Sequence, residues 1–358
     1  MKRLLVLLVA TLGYFCTYAQ EVKEDSRIPD FIVTPRFDVN PYAPIKGGYS
    51  GFDFGNSSLY TFLDGSVGNF SYSMSNHWLA EDTAALYQNA FRSDEYDFID
   101  WLTLSYTVGQ FTFNVGKDVL AVGSAEYDYN DVDIHYPLAS TFWHKNAAYQ
   151  WGASIDFTTK EEDTTLRLQF ASSPFGERPF ASKLFAYSLH WTGEYGCFTP
   201  FWSVNFIEHE RGKFVNLIAL GNAFYLGDFT LEVDYMNRAT SVKNFFNQEF
   251  AIGVQLLYNY NDKVEVFAKG GYENFNNSDI FGYEYESEDD IWFIPTDNTL
   301  CPKYWYAGGG VHYFPLRESR DLRLHAVAAY NNFANSVSIS IGATYHFNLT
   351  KTILKNHK

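Results

Sequence analysis

Apolar and polar residues alternate one by one along almost the whole chain beyond residue 46, and that period limits the fold more than any other feature. A period of two puts successive side chains on opposite faces of a strand, whereas a helix needs apolar residues three and four apart. The last segment shows it most clearly. Val337, Ile339, Ile341, Ala343, Tyr345, Phe347 and Leu349 share one face, and Ser338, Ser340, Gly342, Thr344, His346 and Asn348 share the other. The pattern recurs in Leu102, Leu104, Tyr106, Val108 against Thr103, Ser105, Thr107, and in Tyr149, Trp151, Ala153, Ile155, Phe157 against Gln150, Gly152, Ser154, Asp156. It recurs again in Phe70, Tyr72, Met74 against three serines, and in Phe185, Tyr187, Leu189, Trp191 against Ala186, Ser188, His190. Each strand therefore carries one apolar and one wet face.

About 9 to 11 residues suffice for a tilted strand to cross a bilayer, and the last segment has 13. Beyond the amino-terminal segment no apolar run approaches the 18 or so residues of a spanning helix. With 33 Phe, 27 Tyr and 8 Trp, 19% of the chain is aromatic, and with 25 Gly and only 3 Met this suits strands and turns better than helices. The expected fold is all-β: a transmembrane antiparallel up-and-down β-barrel.

Connections supply the topology, because such barrels alternate tight periplasmic turns with longer external loops. Tight turns are expected near Gly65–Val67, Gly109-Gln110, 158 to 163, 193 to 196, Gly227-Asp228, Asn261-Asp262 and 314 to 321. Gly109 and Gly227 stand first in two-residue turns, where a hairpin requires positive φ. The other connections are 78 to 99, 118 to 146, 173 to 182, 208 to 212, 238 to 247, 276 to 302 and 331 to 335. Counting back from the last strand puts an ascending strand at about 47 to 54 and makes sixteen strands, or fourteen without that first hairpin.

The ends read differently from the barrel at 47–349. Met1-Lys2-Arg3, the apolar run Leu4 to Leu12 and Thr17-Tyr18-Ala19 have the order of a secretory signal peptide, 1–19. Cys16 follows Phe15, a ring where lipid attachment needs a small residue. Residues 20–46, with Pro29, Pro35, Pro41 and Pro44, read as an extended periplasmic lead-in, and 350–358 as a polar carboxy-terminal tail. The expected location is the outer membrane. Cys197 and Cys301 fall at opposite rims and are expected to stay apart.

A net charge of -16 disfavours nucleic acid as a partner. The chain contains no HExxH, GxSxG, P-loop or CxxC pattern, so no enzyme, cofactor or metal is expected. Asp128-Tyr129-Asn130-Asp131-Val132-Asp133 lacks the glycine and distal glutamate of a calcium loop. His190, His312, His325 and His346 fall on inner faces without chelating spacing. Transport needs only pore radius and charge. The expected pore-lining set is Asp156, Arg167, Glu232, Asp234, Glu265, Lys269, Glu273 and Arg323. Here carboxylates would attract cations, and Lys269, Arg167 and Arg323 would oppose them across the lumen. Loop 118 to 146, with Glu126, Asp128, Asp131 and Asp133, is the candidate constriction loop.

Phe111 to Lys117, the hairpin Ala219 to Tyr235 around Gly227-Asp228, and the terminal Ser340 to Phe347 resemble the phosphate-selective porin O and P family. The resemblance implies a sixteen-stranded pore for small solutes, assembled as a homotrimer. That family's basic pore lining is missing, because the inner set here is mixed, and eleven residues follow Phe347 where a terminal aromatic is customary. The reading is thus a porin-like channel for passive diffusion of small hydrophilic solutes or ions, without strong phosphate selectivity. The alternative is a closed structural, adhesion or assembly barrel.

Overall fold

The computed structural model describes residues 27–45, 50–54, 57–79, 99–140, 143, 149–176, 178–239, 249–274, 303–317, 319–332 and 335–356. The signal-peptide reading, most of loops 78 to 99 and 276 to 302, and Cys301 lie outside them. Sixteen long strands close on themselves. They are β1 (Arg27–Pro44), β2 (Ser58–Val67), β3 (Phe70–Leu79), β4 (Ile99–Val108), β5 (Phe111–Val119), β6 (Tyr149–Thr158), β7 (Thr164–Ser172) and β8 (Phe185–Gly193). The second half is β9 (Phe198–Glu210), β10 (Lys213–Leu226), β11 (Phe229–Ala239), β12 (Glu249–Asn261), β13 (Val264–Asn274), β14 (Lys303–Tyr313), β15 (Leu322–Asn331) and β16 (Ser336–Tyr345). Every neighbour is antiparallel, and Arg36 of β1 pairs with Ser58 on one side and Thr344 on the other, which closes the barrel. Closure leaves no edge, so the backbone groups of every strand have a neighbour.

The first strand is not where the alternation puts it. Residues 27–44, expected as a lead-in, form β1, and the expected strand at 47 to 54 shrinks to Gly51–Asp53, which pairs with Asn40–Tyr42. Four prolines disguise β1. Pro35 sits on its outer face beside Val33 and Phe37, while Thr34, Arg36, Asp38 and Asn40 are buried inward. Proline costs a ladder hydrogen bond, yet its fixed φ is compatible with an extended strand. One strand replaces another, so the count of sixteen stands.

Two smaller corrections follow. The first tight turn is at Gly68-Asn69 rather than Gly65–Val67, with Gly68 at φ 57°. The tail expected at 350–358 begins as a helix, α1 (Leu349–Asn356), which also takes Leu349 from the expected last strand. Asn348 caps it by accepting from Lys351 N at 2.8 Å, and Thr350 Oγ1 donates to Pro29 O at 2.7 Å, tying the helix to the start of β1. Gly109 and Gly227 adopt φ 58° and 68°, as their turns require.

The outer surface is apolar at mid-height, where Leu104, Val115, Ile155, Leu168, Val254 and Ile341 all stand exposed. Aromatic clusters ring both ends. Phe111–Phe157, Trp191–Trp202 and Phe229–Tyr258 lie by the tight turns, and Phe170–Phe185 and Trp305–Tyr330 by the long loops. An apolar band between aromatic girdles matches the hydrocarbon layer and its two interfaces. Leu168→Arg, at the middle of β7, should cost about 2–4 kcal/mol of folding stability in lipid. Ser105→Asp, on the inner face, should cost less than about 1 kcal/mol. Equal costs in denaturant titrations of the bilayer-inserted protein would contradict this assignment of faces.

Candidate functional site

Residues 120–140, between β5 and β6, do not stand above the barrel but run inside it. Three single 3-10 turns, Glu126–Asp128, Asp131–Asp133 and Tyr136–Leu138, alternate with extended residues. This gives a ribbon that turns side chains both towards the wall and away from it. The loop follows the inner wall from β7 to β1. Ala121 N donates to Gln169 Oε1 of β7 at 2.9 Å, and Asn205 Nδ2 of β9 donates to Ala121 O at 2.8 Å. Gly123 N donates to Ser203 Oγ at 2.8 Å, and Gly221 N of β10 donates to Gly123 O at 2.8 Å.

Loop and wall backbones touch here, which only glycine permits. A Cβ on Gly123 would lie 2.5 Å from Ser203 N, and one on Gly221 would lie 2.6 Å from Ala125 N. Farther along, Asp234 of β11 accepts from Ala125 N at 2.8 Å and Glu126 N at 3.2 Å. Tyr129 donates its hydroxyl to Glu232 at 2.6 Å, and Gln255 of β12 donates to Glu232 at 3.1 Å. Lys269 of β13 pairs with Glu126 at 2.6 Å, and Arg323 of β15 with Asp133 at 2.9 Å. Arg36 of β1 donates to Val132 O and Ile134 O at 2.8 and 2.6 Å. Burial alone would raise the Glu126 carboxyl, but the adjacent Lys269 ammonium and Ser140 hold it below the ordinary carboxylate value.

Leu120, Val122 and Leu138 complete the seat. They pack on inward apolar residues that include Ala171, Ile207, Leu217, Met236, Phe267 and Val327. Burying each leucine contributes about 1.5–3 kcal/mol. Part of the wall beneath the loop is thus apolar on both faces, most clearly in β10, where Val215, Leu217 and Ala219 point in and Ile218 and Leu220 lie on the opposite face. This is the signal that sequence reasoning passed over. Strands covered on both sides read as continuous apolar runs rather than as alternations, and Leu217 to Leu220 is a short run of that kind.

The rest of the wall is different. On β3, β4 and β5 the inner faces present Ser71 and Ser73, then Thr103, Ser105 and Thr107, then Thr112 and Asn114, half-buried or exposed. Ser105 donates to Asn114 at 2.6 Å, and Asn114 donates to Ser154 and Asp156 of β6 at 2.9 and 3.0 Å. Arg167 of β7 grips Asp156 with two bonds of 2.8 and 2.9 Å and reaches Asp118 at 3.5 Å.

The expected pore-lining residues consequently divide. Asp156 and Arg167 lie on the hydroxyl-lined arc. Glu232, Asp234, Lys269 and Arg323 hold the loop, and Glu265 accepts from His312 at 2.8 Å. Glu273 is fully buried. The expected field across the lumen is not found, because Lys269, Arg167 and Arg323 are each spent on a carboxylate within 3 Å. Of the loop acids, Glu126 and Asp133 anchor, Asp131 accepts from Tyr149 at 3.1 Å and Asp128 is exposed. Tyr149, placed on the outer face by alternation, thus serves the inner loop. Loop residue His135 was not singled out by the sequence, yet it meets His312 and His325 inside the barrel. Cys197 is an exposed free thiol near the tight-turn end.

No protein-family model matches the sequence, and no curated protein matches it either. Solved structures do match in fold. OmpT, an outer membrane protein of Vibrio cholerae, superposes with TM-score 0.56 at 14% identity, covering 91% of this chain and 99% of that one. A mutant of Rh. blastica porin superposes with TM-score 0.57 at 10% identity, covering 89% and 100%. In vitro folded OmpT in a trimer form gives TM-score 0.52 at 12% identity, covering 90% and 100%. The fold is a porin-like sixteen-stranded barrel.

Proposed function

We propose that the protein is a porin-like channel of an outer membrane, through which small hydrophilic solutes and ions diffuse passively along the arc that the loop leaves uncovered. One observation carries the reading. The inner wall is split between an arc that residues 120–140 cover, through apolar packing and buried hydrogen bonds, and a half-exposed arc of Ser73, Thr103, Ser105, Thr112 and Asn114. A closed barrel gains nothing from a hydroxyl-lined inner face, whereas water and polar solutes need one. The loop narrows the passage, and no catalytic role forms part of the proposal.

Location in a membrane is supported by the apolar outer band and its aromatic girdles. A trimer, the form named for one OmpT structure, belongs to the same proposal. So does kinship with the phosphate-selective porin O and P family, but without its cargo, since the lumenal Lys269, Arg167 and Arg323 are all paired with acids.

Purified protein in planar bilayers should show stable single-channel steps, and replacing chloride by phosphate should not increase the current. The second reading is a closed structural barrel, favoured by the burial of residues 120–126 and 137–140. Absence of steps, together with no swelling of solute-loaded liposomes, would select it.

A further inference from the structure

Where the loop meets β13, β14 and β15, three imidazoles converge. His135 Nε2 lies 2.9 Å from His312 Nε2, and the His135 ring stacks on Phe267 at 5.3 Å and lies edge-on to His325 at 5.1 Å. Charged groups surround them on every side. β13 supplies Glu265, bonded to His312 Nδ1, and Lys269. β15 supplies Arg323, paired with Asp133 of the loop, and His325, whose Nε2 lies 2.8 Å from Asp38 of β1. Arg36 of β1 pairs with Asp38 and binds the carbonyls on either side of Asp133, and His346 lies 3.8 Å from Asp133.

The contacts count the protons. His312 Nδ1 donates to Glu265, so its Nε2 accepts, and the proton between the two rings is carried by His135 Nε2. His135 Nδ1 is buried and has no hydrogen-bond partner among the described residues. A further proton therefore has two places to go. On His135 Nδ1 it makes a buried N–H without an acceptor; on the second Nε2 it sets two N–H groups face to face at 2.9 Å. Either way the added charge lies in the company of Arg36 and Arg323. Retraction of the loop relieves all of this, because it takes His135 into water.

We propose that His135 and His312 form an acid-released latch that holds residues 120–140 against the wall at neutral pH and frees them when the pair takes up another proton. Burial and the neighbouring Arg36 hold the His135 ring well below the ordinary imidazole value in the seated loop. The linkage has one sign: the released loop binds the proton more tightly, so seating is complete above the free imidazole pKa and weakens as pH falls below it. For one proton the seating equilibrium shifts about tenfold per pH unit.

Hydrogen exchange of residues 121–140, corrected for intrinsic rates, tests the latch without reference to transport. Between about pH 7.5 and about pH 4.5 the wild type should lose at least about tenfold in protection, reversibly. His135→Phe, which keeps the stack on Phe267 and cannot titrate, should hold its protection at both pH values. His209→Gln, remote from the loop, should respond as the wild type does. Unchanged wild-type protection, or equal loss in His135→Phe, overturns the latch. If His135→Phe fails to fold, His135→Leu, which also cannot titrate, replaces it with the same two outcomes. The current readout rests on the channel reading: bilayer steps should change level with pH in the wild type and not in His135→Phe. Absence of steps at every pH would end the channel reading and leave the exchange result to decide the latch.

Discussion

Replacing residues 120–148 by a four-residue turn should raise single-channel conductance by at least about twofold. Val119 and Tyr149 are directly paired neighbours, so a short turn can close the β5–β6 hairpin without straining either strand. The barrel itself stays closed, because none of its sixteen strand pairings uses the removed residues. What changes is the lumen. A sixteen-stranded barrel leaves an aqueous channel unless something fills it, and here residues 120–140 fill the side from β7 round to β1. The deletion also bares Leu217, Met236 and Val327 to water, so thermal stability should fall at the same time. Larger current with lower stability is the expected pair of results. Unchanged conductance would mean that the passage is limited elsewhere and that the loop is not a constriction.

The second large effect is electrostatic. Lys269→Met leaves Glu126 without its ammonium partner, while its side chain is only 3% exposed and Lys269 itself only 13%. Removing one member of a buried pair costs about 3–5 kcal/mol, because the remaining charge is neither solvated nor matched. That loss should be felt first by the loop, as faster hydrogen exchange over residues 121–140, with the strands little affected. Glu126→Gln combined with Lys269→Met should recover most of it, since a neutral amide still bonds to Ser140 and needs no counter-charge. A double variant as unprotected as Lys269→Met alone would show that the contact matters for shape rather than charge. Gly221→Val offers a steric comparison, because its side chain would press on Ala125 N and Ser124 Cα and lift the same loop without altering any charge.

Strands with one wet face announced themselves. β4, β5, β6 and β16 alternate in sequence because one side meets lipid and the other meets water, and each residue's polarity is set by its own face. Turns were equally legible at Gly109 and Gly227, where positive φ leaves glycine as the natural choice. β1 was hidden for a local reason: its inward residues include Arg36 and Asp38, its outward ones include Pro35, and such a mixture reads as a linker. Alternate placement of loops and an even strand number follow from those local signals.

The site did not follow from them. Glu126 and Asp133 are acids in an acid-rich loop, and their sequence is equally compatible with a solvated surface. Their partners Lys269 and Arg323 stand 143 and 190 positions further along the chain and are brought to them only when the barrel closes. His135 meets His312 across 177 positions in the same way. Period-two patterning settled the barrel and its two faces, because it is a property of neighbouring residues in contact with lipid or water, whereas the first strand was placed only by closure against Ser58 and Thr344. Long-range contacts in the closed barrel decide that the loop turns inward, that Lys269, Arg167 and Arg323 are paired with acids, and that the inner wall from β7 round to β1 is covered. Those outcomes depend on pairs of residues far apart in the chain, each able to satisfy its charge or hydrogen bonds in water until the closed barrel withholds it.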